Sequence, residues 1–369
     1  MVSRVLGVAL AALLVALGGS VAQAAPNSSE ELLGRVALEP GWGTWKRASI
    51  IEYRTEGPVG EAVSASGLLL LPDSPAPAGG YPVVAWDHPT MGLAGHCGIT
   101  TSRGVQEQAF MQAALDRGWA VVAPDYLGLT PGSAFPHPYL HTRTEATSTL
   151  DLVRAARAAE PALAPTWAVA GASQGGHAAL ATGSIAQQYA PELDFRGTAA
   201  LAPESNFETL FAQMGPATPH FPMEDKLIGP FAGILAGLRL TRPDVDVNRI
   251  LTPTGRALVD AISSSCVEDF DRLAAGITFA TMLAAPVSEI GDALRAYMAA
   301  PTSFEQPLLI THGAADLVVP IPMTFAYLAQ LRSAGTVYEF DLHTVGHKEI
   351  EEVSRNAVLE FLDKSFGSS

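Results

Sequence analysis

Residues 167–177 read W-A-V-A-G-A-S-Q-G-G-H, where a short apolar run meets a G-x-S-x-G pattern and then an alanine-rich segment. A strand that turns sharply into a helix here lifts a serine hydroxyl clear of the backbone, and the flanking glycines avoid clashes with neighbouring strands. The turn also aims the backbone N–H of Gln174 toward a developing oxyanion. Ser173 is therefore a candidate nucleophile; the alternative is an ordinary serine in a glycine-rich turn.

A serine nucleophile of this type needs an acid and then a histidine further along the chain. Residues 306–320 form an apolar run that ends in a glycine turn, and Asp316 lies just beyond that run. Catalytic groups of parallel sheets gather at the carboxyl ends of the strands, so Asp316 is the candidate acid. Its alternative role is to cap the helix predicted after Pro320.

The candidate base is His347. An alternating strand pattern at 336–342 is followed by H-T-V-G-H at 343–347 and by an amphipathic helix at about 348–366. His347 would lie where the loop meets the helix, from where it could lean toward the serine. His343 directly follows the strand and is the competing candidate, which we expect to be packed or solvated. Serine, aspartate and histidine in this order, each after its own strand, together favour a catalytic triad.

A second oxyanion donor is expected from the loop after the third strand. Residues 81–86 are predicted to form that strand, and D-H-P-T-M-G at 87–92 to form the loop. Asp87 would lie beside the nucleophile turn and could offer its N–H or, when protonated, its side chain. The alternative is a turn aspartate that bonds its own backbone.

Strand and helix patterns alternate as a doubly wound, mostly parallel sheet requires, which predicts an α/β fold of the α/β-hydrolase type. After two entry strands near 46–54 and 61–71, strands are predicted at 83–86, 120–123, 166–170, 197–201, 308–311 and 337–341. Helices are predicted at about 105–117, 143–159, 174–188, 322–333 and 348–366.

About 100 residues separate two strands that a bare core would join with one helix. Residues 204–303 are rich in Leu, Ala and Ile and are broken by prolines, which predicts a helical cap inserted between core segments 25–203 and 304–369. A subunit interface is the alternative role of this insertion. Some of its apolar segments are expected to line an acyl groove, and if Gly233 or Gly237 lies there, a bulky residue in its place should favour shorter acids.

The N-terminus predicts export from the cytoplasm. One positive charge precedes an apolar run at 5–17 and an A-x-A site, so residues 1–24 read as a cleaved signal peptide, with a retained anchor as the alternative. In an exported chain, the even cysteine count suggests a disulfide between Cys97 and Cys266, although two free buried thiols remain possible.

The formal net charge of −15 argues against nucleic acid and anionic membrane surfaces as partners. The histidine pairs His88/His96 and His137/His141 have no accompanying H-E-x-x-H pattern or acidic cluster, so no catalytic metal is expected. Nor does the expected chemistry need a cofactor. His177 is expected to be a packed residue that steadies the nucleophile turn.

Six segments together resemble the secretory lipase family: W-D-H-P-T-M-G (86–92), A-P-D-Y-L-G-L (123–129), H-P-Y-L-H-T-R-T-E-A (137–146), G-A-S-Q-G-G-H (171–177), H-G-A-A-D-L-V-V-P (312–320) and G-H (346–347). The resemblance implies a secreted carboxylic ester hydrolase with a helical cap, whose triad is Ser173, Asp316 and His347. It also implies an oxyanion hole formed by Asp87 and the Gln174 N–H, and a disulfide from the oxyanion loop to the cap. The family loop often has a small hydroxyl residue where this chain has His88.

The expected reaction is hydrolysis of a small-molecule or lipid ester, at a lipid–water interface in the latter case, through an acyl-enzyme. One alternative keeps the triad but cleaves an amide, as capped peptidases of this fold do. A peptidase needs an anchor for a charged terminus, and the cap offers few candidates, among them Lys226, Arg239, Arg242 and Arg249. A third possibility is an inactive hydrolase fold that serves in binding.

Overall fold

A nine-stranded sheet forms the centre of the molecule, in the order β1-β2-β3-β5-β4-β6-β7-β8-β9. It is seen in a computed structural model that describes residues 32–38, 45–102 and 108–367. The strands are β1 (Leu32–Ala37), β2 (Ala48–Glu56), β3 (Ala62–Leu70), β4 (Tyr81–Asp87), β5 (Ala120–Pro124), β6 (Leu163–Ala172), β7 (Asp194–Leu201), β8 (Leu308–Gly313) and β9 (Glu339–His343). From β5 across to β9 the strands are parallel, whereas β1, β2 and β3 form an antiparallel edge. The predicted α/β-hydrolase sheet is confirmed.

The described helices cover both faces of the sheet and fill the chain between β7 and β8. They are α1 (Ile99–Ser102), α2 (Gln108–Asp116), α3 (Thr142–Ala159), α4 (Gln174–Tyr189), α5 (Phe207–Phe211), α6 (Glu224–Thr241), α7 (Pro253–Ile262), α8 (Phe270–Ala274), α9 (Phe279–Met282), α10 (Gly291–Met298), α11 (Ile321–Ser333) and α12 (Ile350–Ser365). No helix in the described ranges is both long and apolar enough to cross a membrane.

Alternate side chains of β4 show how the two faces are built. Val84 and Trp86 pack with apolar residues of α2 and α12 on one face. Val83 and Ala85 pack with residues of α3 and α4 on the other face. Because successive side chains of a strand point to opposite faces, a sheet covered on both sides needs continuous apolar strands. This burial fixes the strand register, and with it the carboxyl ends where the candidate site lies.

The chain between β7 and β8 forms an apolar cluster of its own. Its centre holds tilted and edge-on aromatic rings, with centroids 4.6 Å apart for Phe211 and Phe231 and 5.5 Å apart for Phe231 and Phe279. Leu93 and Tyr139, from loops of the sheet domain, are buried in the same cluster. The segment that we predicted as a helical cap, residues 204–303 and here called the helical insertion, therefore packs on the loops after β4 and before α3.

A disulfide joins the helical insertion to the loop after β4, because Cys97 is bonded to Cys266. Backbone contacts reinforce the connection: the Leu93 N–H donates to the Ser265 carbonyl at 2.9 Å, and Gly92 forms a β-bridge with Cys266. Gly92 has a φ of 128°, and a Cβ there would lie 2.5 Å from the Cys266 Cα. Only glycine fits this contact without displacement.

Several element boundaries differ from the sequence-based expectation. β1 was not predicted, and β9 begins at Glu339 rather than at 337. Strand β7 begins at Asp194, three residues before the predicted start. The predicted helix at 105–117 is seen as α2 from Gln108, since residues 103–107 lie outside the described ranges, as does the predicted signal peptide at 1–24.

Candidate active site

Ser173 lies on a strained turn between β6 and α4. Its φ of 59° and ψ of −120° fall in a region that non-glycine residues rarely adopt, and α4 begins at the next residue. The serine is 7% exposed. The predicted strand–serine–helix arrangement is thus present, with Ser173 at the carboxyl end of β6.

Close packing at Gly175 holds this turn against the end of β4. A Cβ at Gly175 would lie 2.5 Å from the carbonyl carbon of Asp87 and 2.8 Å from the carbonyl oxygen of His88. The missing side chain therefore lets the backbone after β4 approach the first turn of α4, as the G-x-S-x-G spacing predicts.

His347 lies between Ser173 and Asp316. Its Nε2 is 2.9 Å from the Ser173 Oγ, and its Nδ1 is 2.6 Å from the Asp316 Oδ2. An ionised aspartate accepts from Nδ1–H, which leaves Nε2 as an acceptor for the serine proton. The three side chains thus form a continuous line of hydrogen bonds.

Backbone and side-chain donors surround Asp316. The N–H groups of Val318 and Val319 donate to its Oδ1 at 2.8 Å each, and His312 Nε2 lies 3.4 Å from its Oδ2. Burial alone would raise the pKa of Asp316, but hydrogen bonds from His312 and His347 outweigh it and hold the pKa well below its usual range. The carboxylate therefore stays ionised beside the imidazole.

His343, the competing base, is placed elsewhere. Its Nε2 lies 3.1 Å from the Asp341 Oδ2 on the edge strand β9, and its side chain is partly exposed. Its described contacts do not include Ser173.

Asp87 is fully buried at the end of β4. Its Oδ1 accepts a hydrogen bond of 2.7 Å from the Thr149 hydroxyl, and its Oδ2 has no hydrogen-bond partner among the described residues. Burial raises the pKa of Asp87 well above its usual range, against the smaller opposing effect of Thr149. A neutral Asp87 carries a proton that it can donate.

A buried polar network fixes Gln174, the first residue of α4. Its side-chain Nε2 lies 2.8 Å from Glu145 Oε1 and 2.6 Å from His137 Nε2. Glu145 Oε2 lies 2.6 Å from Nδ1 of His177, whose Nε2 lies 2.9 Å from the Met298 carbonyl. Burial alone would lower the pKa of His177, but Glu145 outweighs it and raises the pKa. His177 is packed beside the turn, as expected.

Glu204 is a site residue that sequence reasoning missed. Its Oε1 lies 3.2 Å from the Ser173 Oγ, and its two carboxyl oxygens lie 3.0 and 3.1 Å from the Tyr139 hydroxyl. Burial raises the pKa of Glu204 to about 7. The sequence signal that could have identified Glu204 is its position three residues after the carboxyl end of β7, because catalytic groups of parallel sheets gather at such ends.

Gly233 and Gly237 do not lie in an open groove. A Cβ at Gly233 would lie 3.2 Å from the Tyr139 ring, and one at Gly237 would lie 3.0 Å from the Pro138 Cα. Both glycines bring α6 close to the loop before α3. Neither glycine is therefore in a position to line an acyl groove.

Metal-ligand geometry is found at one place in the described ranges, where His96, Cys97 and Cys266 come together. The two sulfurs there are bonded to each other, so they are not free thiolate ligands. This cluster is separate from the line of Ser173, His347 and Asp316.

The mostly parallel sheet and the serine on a strand-to-helix turn define an α/β-hydrolase. The family model of the secretory lipases matches residues 96–369, and the chain belongs to the secretory lipase family. It is accordingly a hydrolase of the lipase/esterase type.

Many solved structures share this fold, among them a lipase and an esterase. Lipase A of Candida antarctica superposes with a TM-score of 0.75 at 19% identity, over 92% of this chain and 83% of that one. The rice cell wall degrading esterase LipA of Xanthomonas oryzae, in a ligand-bound form, also has a TM-score of 0.75, at 22% identity over 92% of this chain and 100% of that one. No curated protein sequence matches the chain significantly.

Proposed function

We propose that the protein is a secreted serine carboxylic ester hydrolase that works through an acyl-enzyme. The observation that carries this proposal is the unbroken line from Ser173 Oγ through His347 to Asp316, with distances of 2.9 and 2.6 Å. In this geometry a serine can lose its proton to the imidazole as it attacks a carbonyl.

Each residue of the line has a defined task. His347 accepts the Ser173 proton at Nε2 while Ser173 attacks the ester carbonyl, and Asp316 stabilises the imidazolium that forms. His347 then gives the proton to the departing alcohol, which leaves the acyl group on Ser173. Water enters, His347 takes a proton from it, and the acyl-enzyme is hydrolysed by the same steps.

Two donors are proposed for the oxyanion. The N–H of Gln174 is the first of α4 and has no acceptor within the helix. Asp87 contributes its Oδ2–H, and this role is supported by its burial and by the single hydrogen bond to its other oxygen. Such fixed donors stabilise a developing charge because they need no reorganisation.

The helical insertion is proposed to act as a cap that shapes an acyl pocket. Its large aromatic cluster and its disulfide to the loop after β4 are typical of a fixed cover rather than of a free arm. The disulfide also fits an exported protein, and we propose that residues 1–24 are a cleaved signal peptide.

Amide hydrolysis is less well supported. Four cations of the insertion that are candidate anchors for a peptide terminus have carboxylate partners: Lys226 with Asp271, Arg239 with Asp260, Arg242 with Asp244, and Arg249 with Glu289. A peptide carboxylate would have to displace the partner of any one of these four cations in order to bind it.

The proposal can be tested with aryl esters from acetate to palmitate, with matched anilides and with a Ser173→Ala control. Each methylene that the cap buries is worth about 0.8 kcal/mol, so kcat/KM should rise by roughly tenfold for two carbons until the pocket is full. We expect a rise from acetate toward octanoate and little anilide cleavage. A steady fall from acetate would contradict the acyl pocket. Absence of both ester hydrolysis and phosphonate labelling would favour an inactive binding protein.

A further inference from the structure

Glu204 is a buried carboxyl in direct contact with the nucleophile, and the mechanism above does not use it. The residue is 4% exposed, and its Oε1 lies 3.2 Å from the Ser173 Oγ. Ser173 Oγ therefore has two neighbours that can exchange a hydrogen bond with it: His347 Nε2 at 2.9 Å and this carboxyl.

The hydrogen bonds continue beyond Glu204. Its carboxyl oxygens are in reach of the Tyr139 hydroxyl, which in turn lies 3.0 Å from the Thr90 Oγ1. A hydroxyl has one proton to donate, so the direction of each bond depends on its neighbours. If Thr90 donates to Tyr139, Tyr139 is free to donate to Glu204.

A neutral Glu204 completes this chain in one direction. Tyr139 donates to Oε2, and the protonated Oε1 donates to the Ser173 Oγ. The serine proton is then directed to His347 Nε2, and His347 donates its Nδ1–H to Asp316. Every donor has one acceptor, and the serine proton points to its base.

An ionised Glu204 reverses the bond at Ser173. The carboxylate can only accept, so it accepts hydrogen bonds from the hydroxyls of both Ser173 and Tyr139. The Nε2 lone pair of a neutral His347 then faces the Ser173 Oγ, whose only proton is directed to Glu204 instead. The contact becomes favourable again only when His347 is protonated, and a protonated imidazole cannot act as the base.

We propose that Glu204 is a positioning residue whose protonated carboxyl directs the Ser173 hydroxyl to His347, so that the enzyme is active only while Glu204 carries its proton. This inference rests on the proposed function. It assigns Glu204 no covalent role, since the carboxyl acts through Ser173.

The surroundings of Glu204 place its titration near neutrality. Burial raises the pKa of Glu204 to about 7, while the hydrogen bond from Tyr139 and the charges of His347 and His177 lower it and Glu145 raises it. The neutral form therefore dominates below pH 7, and activity should fall as the pH rises through this value.

The test compares pH profiles of kcat/KM from pH 5 to 9 for the wild type and Glu204→Gln. Two pH units above a pKa of about 7, roughly one carboxyl in a hundred keeps its proton, so wild-type activity should fall by at least about tenfold and at most about 100-fold. Glutamine cannot ionise, and its amide can still donate to Ser173. The variant should hold its activity within about threefold between pH 7 and 9.

Glu208→Gln is the matched control. Glu208 is a buried carboxyl of the same segment, and its described hydrogen bond is to Thr209 at 3.2 Å. This control should follow the wild-type profile. A folded Glu204→Gln protein with the wild-type alkaline fall would overturn the proposal, since a merely structural role leaves the profile unmoved.

Tyr139→Phe provides a second variant if Glu204→Gln does not fold. It keeps the ring but removes a donor that favours ionised Glu204, so the alkaline fall should move to higher pH. An unmoved profile would count against the proposal.

The rate of Ser173 labelling by a fluorophosphonate should be measured on the same proteins over the same pH range. Labelling needs the same serine activation but no turnover. Absence of Ser173-dependent ester hydrolysis would overturn the proposed function, whereas the pH dependence of labelling would still decide the role of Glu204.

Discussion

Replacing Gly175 with alanine should push the loop after β4 away from the nucleophile turn. The new Cβ would lie 2.5 Å from the Asp87 carbonyl carbon and closer still to its oxygen, whereas ordinary contact begins at 3.4 Å. The obstacle is backbone on both sides, so no side chain can rotate away. Asp87 must retreat by about 0.9 Å or more to restore normal packing.

A shift of this size should lower both activity and stability. Misplacement of a catalytic group by about 1 Å can cost about 100-fold in rate, whereas overpacking typically lowers the free energy of unfolding by about 1–3 kcal/mol. We therefore expect kcat/KM to fall by about 100-fold in a protein that is still folded at 25 °C. The loss should lie mainly in kcat, since the proposed oxyanion donors act in the transition state.

The assay is aryl ester hydrolysis, with thermal unfolding to confirm the fold and phosphonate labelling to count competent Ser173. Gly291→Ala is the matched control, because a Cβ at Gly291, the first residue of α10, meets no atom within 4 Å. That control should keep wild-type kcat/KM and melting temperature. A Gly175→Ala protein with wild-type kcat/KM would refute the close approach as a requirement of the site.

Two further predictions concern the triad and the disulfide. His347→Ala should lower kcat/KM by at least about 10³-fold, because the triad acts as a unit, whereas His343→Ala on the edge strand should cost less than about threefold in the same assay. Equal losses in two folded variants would make the base assignment wrong. Non-reducing peptide mapping should recover one linked peptide containing Cys97 and Cys266, which are 169 residues apart. Replacing both by serine should lower the free energy of unfolding by up to about 5 kcal/mol, measured by urea unfolding, and an unchanged midpoint would show that the link contributes nothing to stability.

The residues at strand ends were the most predictable part of the site. Ser173 and Asp316 each follow an apolar strand, and burial on both faces of the sheet fixes where such a strand ends, whereas His347 follows the partly exposed edge strand β9, whose pattern alternates. Local patterns therefore placed three residues, far apart in sequence, at one edge of the sheet. The turn at Gly175 was predictable for the same reason, since the glycine spacing has a steric cause.

Glu204 could not be predicted in this way. It lies where the helical insertion begins, and its neighbours in sequence do not distinguish it from a polar residue at a helix start. Its role depends on Tyr139, which is 65 residues away, and on the strained Ser173 backbone. The network of Glu145 and His177 was missed for a similar reason, because helix periodicity identifies a buried face but not which polar groups meet there.

The sequence could not decide whether Gly233 and Gly237 line a groove or serve close packing. Glycines on an apolar helix can widen a groove or let two backbones approach, and the sequence pattern is the same in both cases. In the structure they let α6 approach Pro138 and Tyr139. Helix α6 thus packs against Tyr139, which also hydrogen-bonds to Glu204.

The helical insertion and the proposed catalytic groups are therefore mechanically connected. The disulfide and the bridge at Gly92 attach the insertion to the loop that carries Asp87, while α6 packs on Tyr139, whose hydroxyl contacts Glu204. Groups that share contacts in this way do not respond independently to substitution. A substitution in α6 that displaces Tyr139 should consequently alter the pH profile of kcat, because Tyr139 contacts both α6 and Glu204, the residue proposed to direct the serine proton.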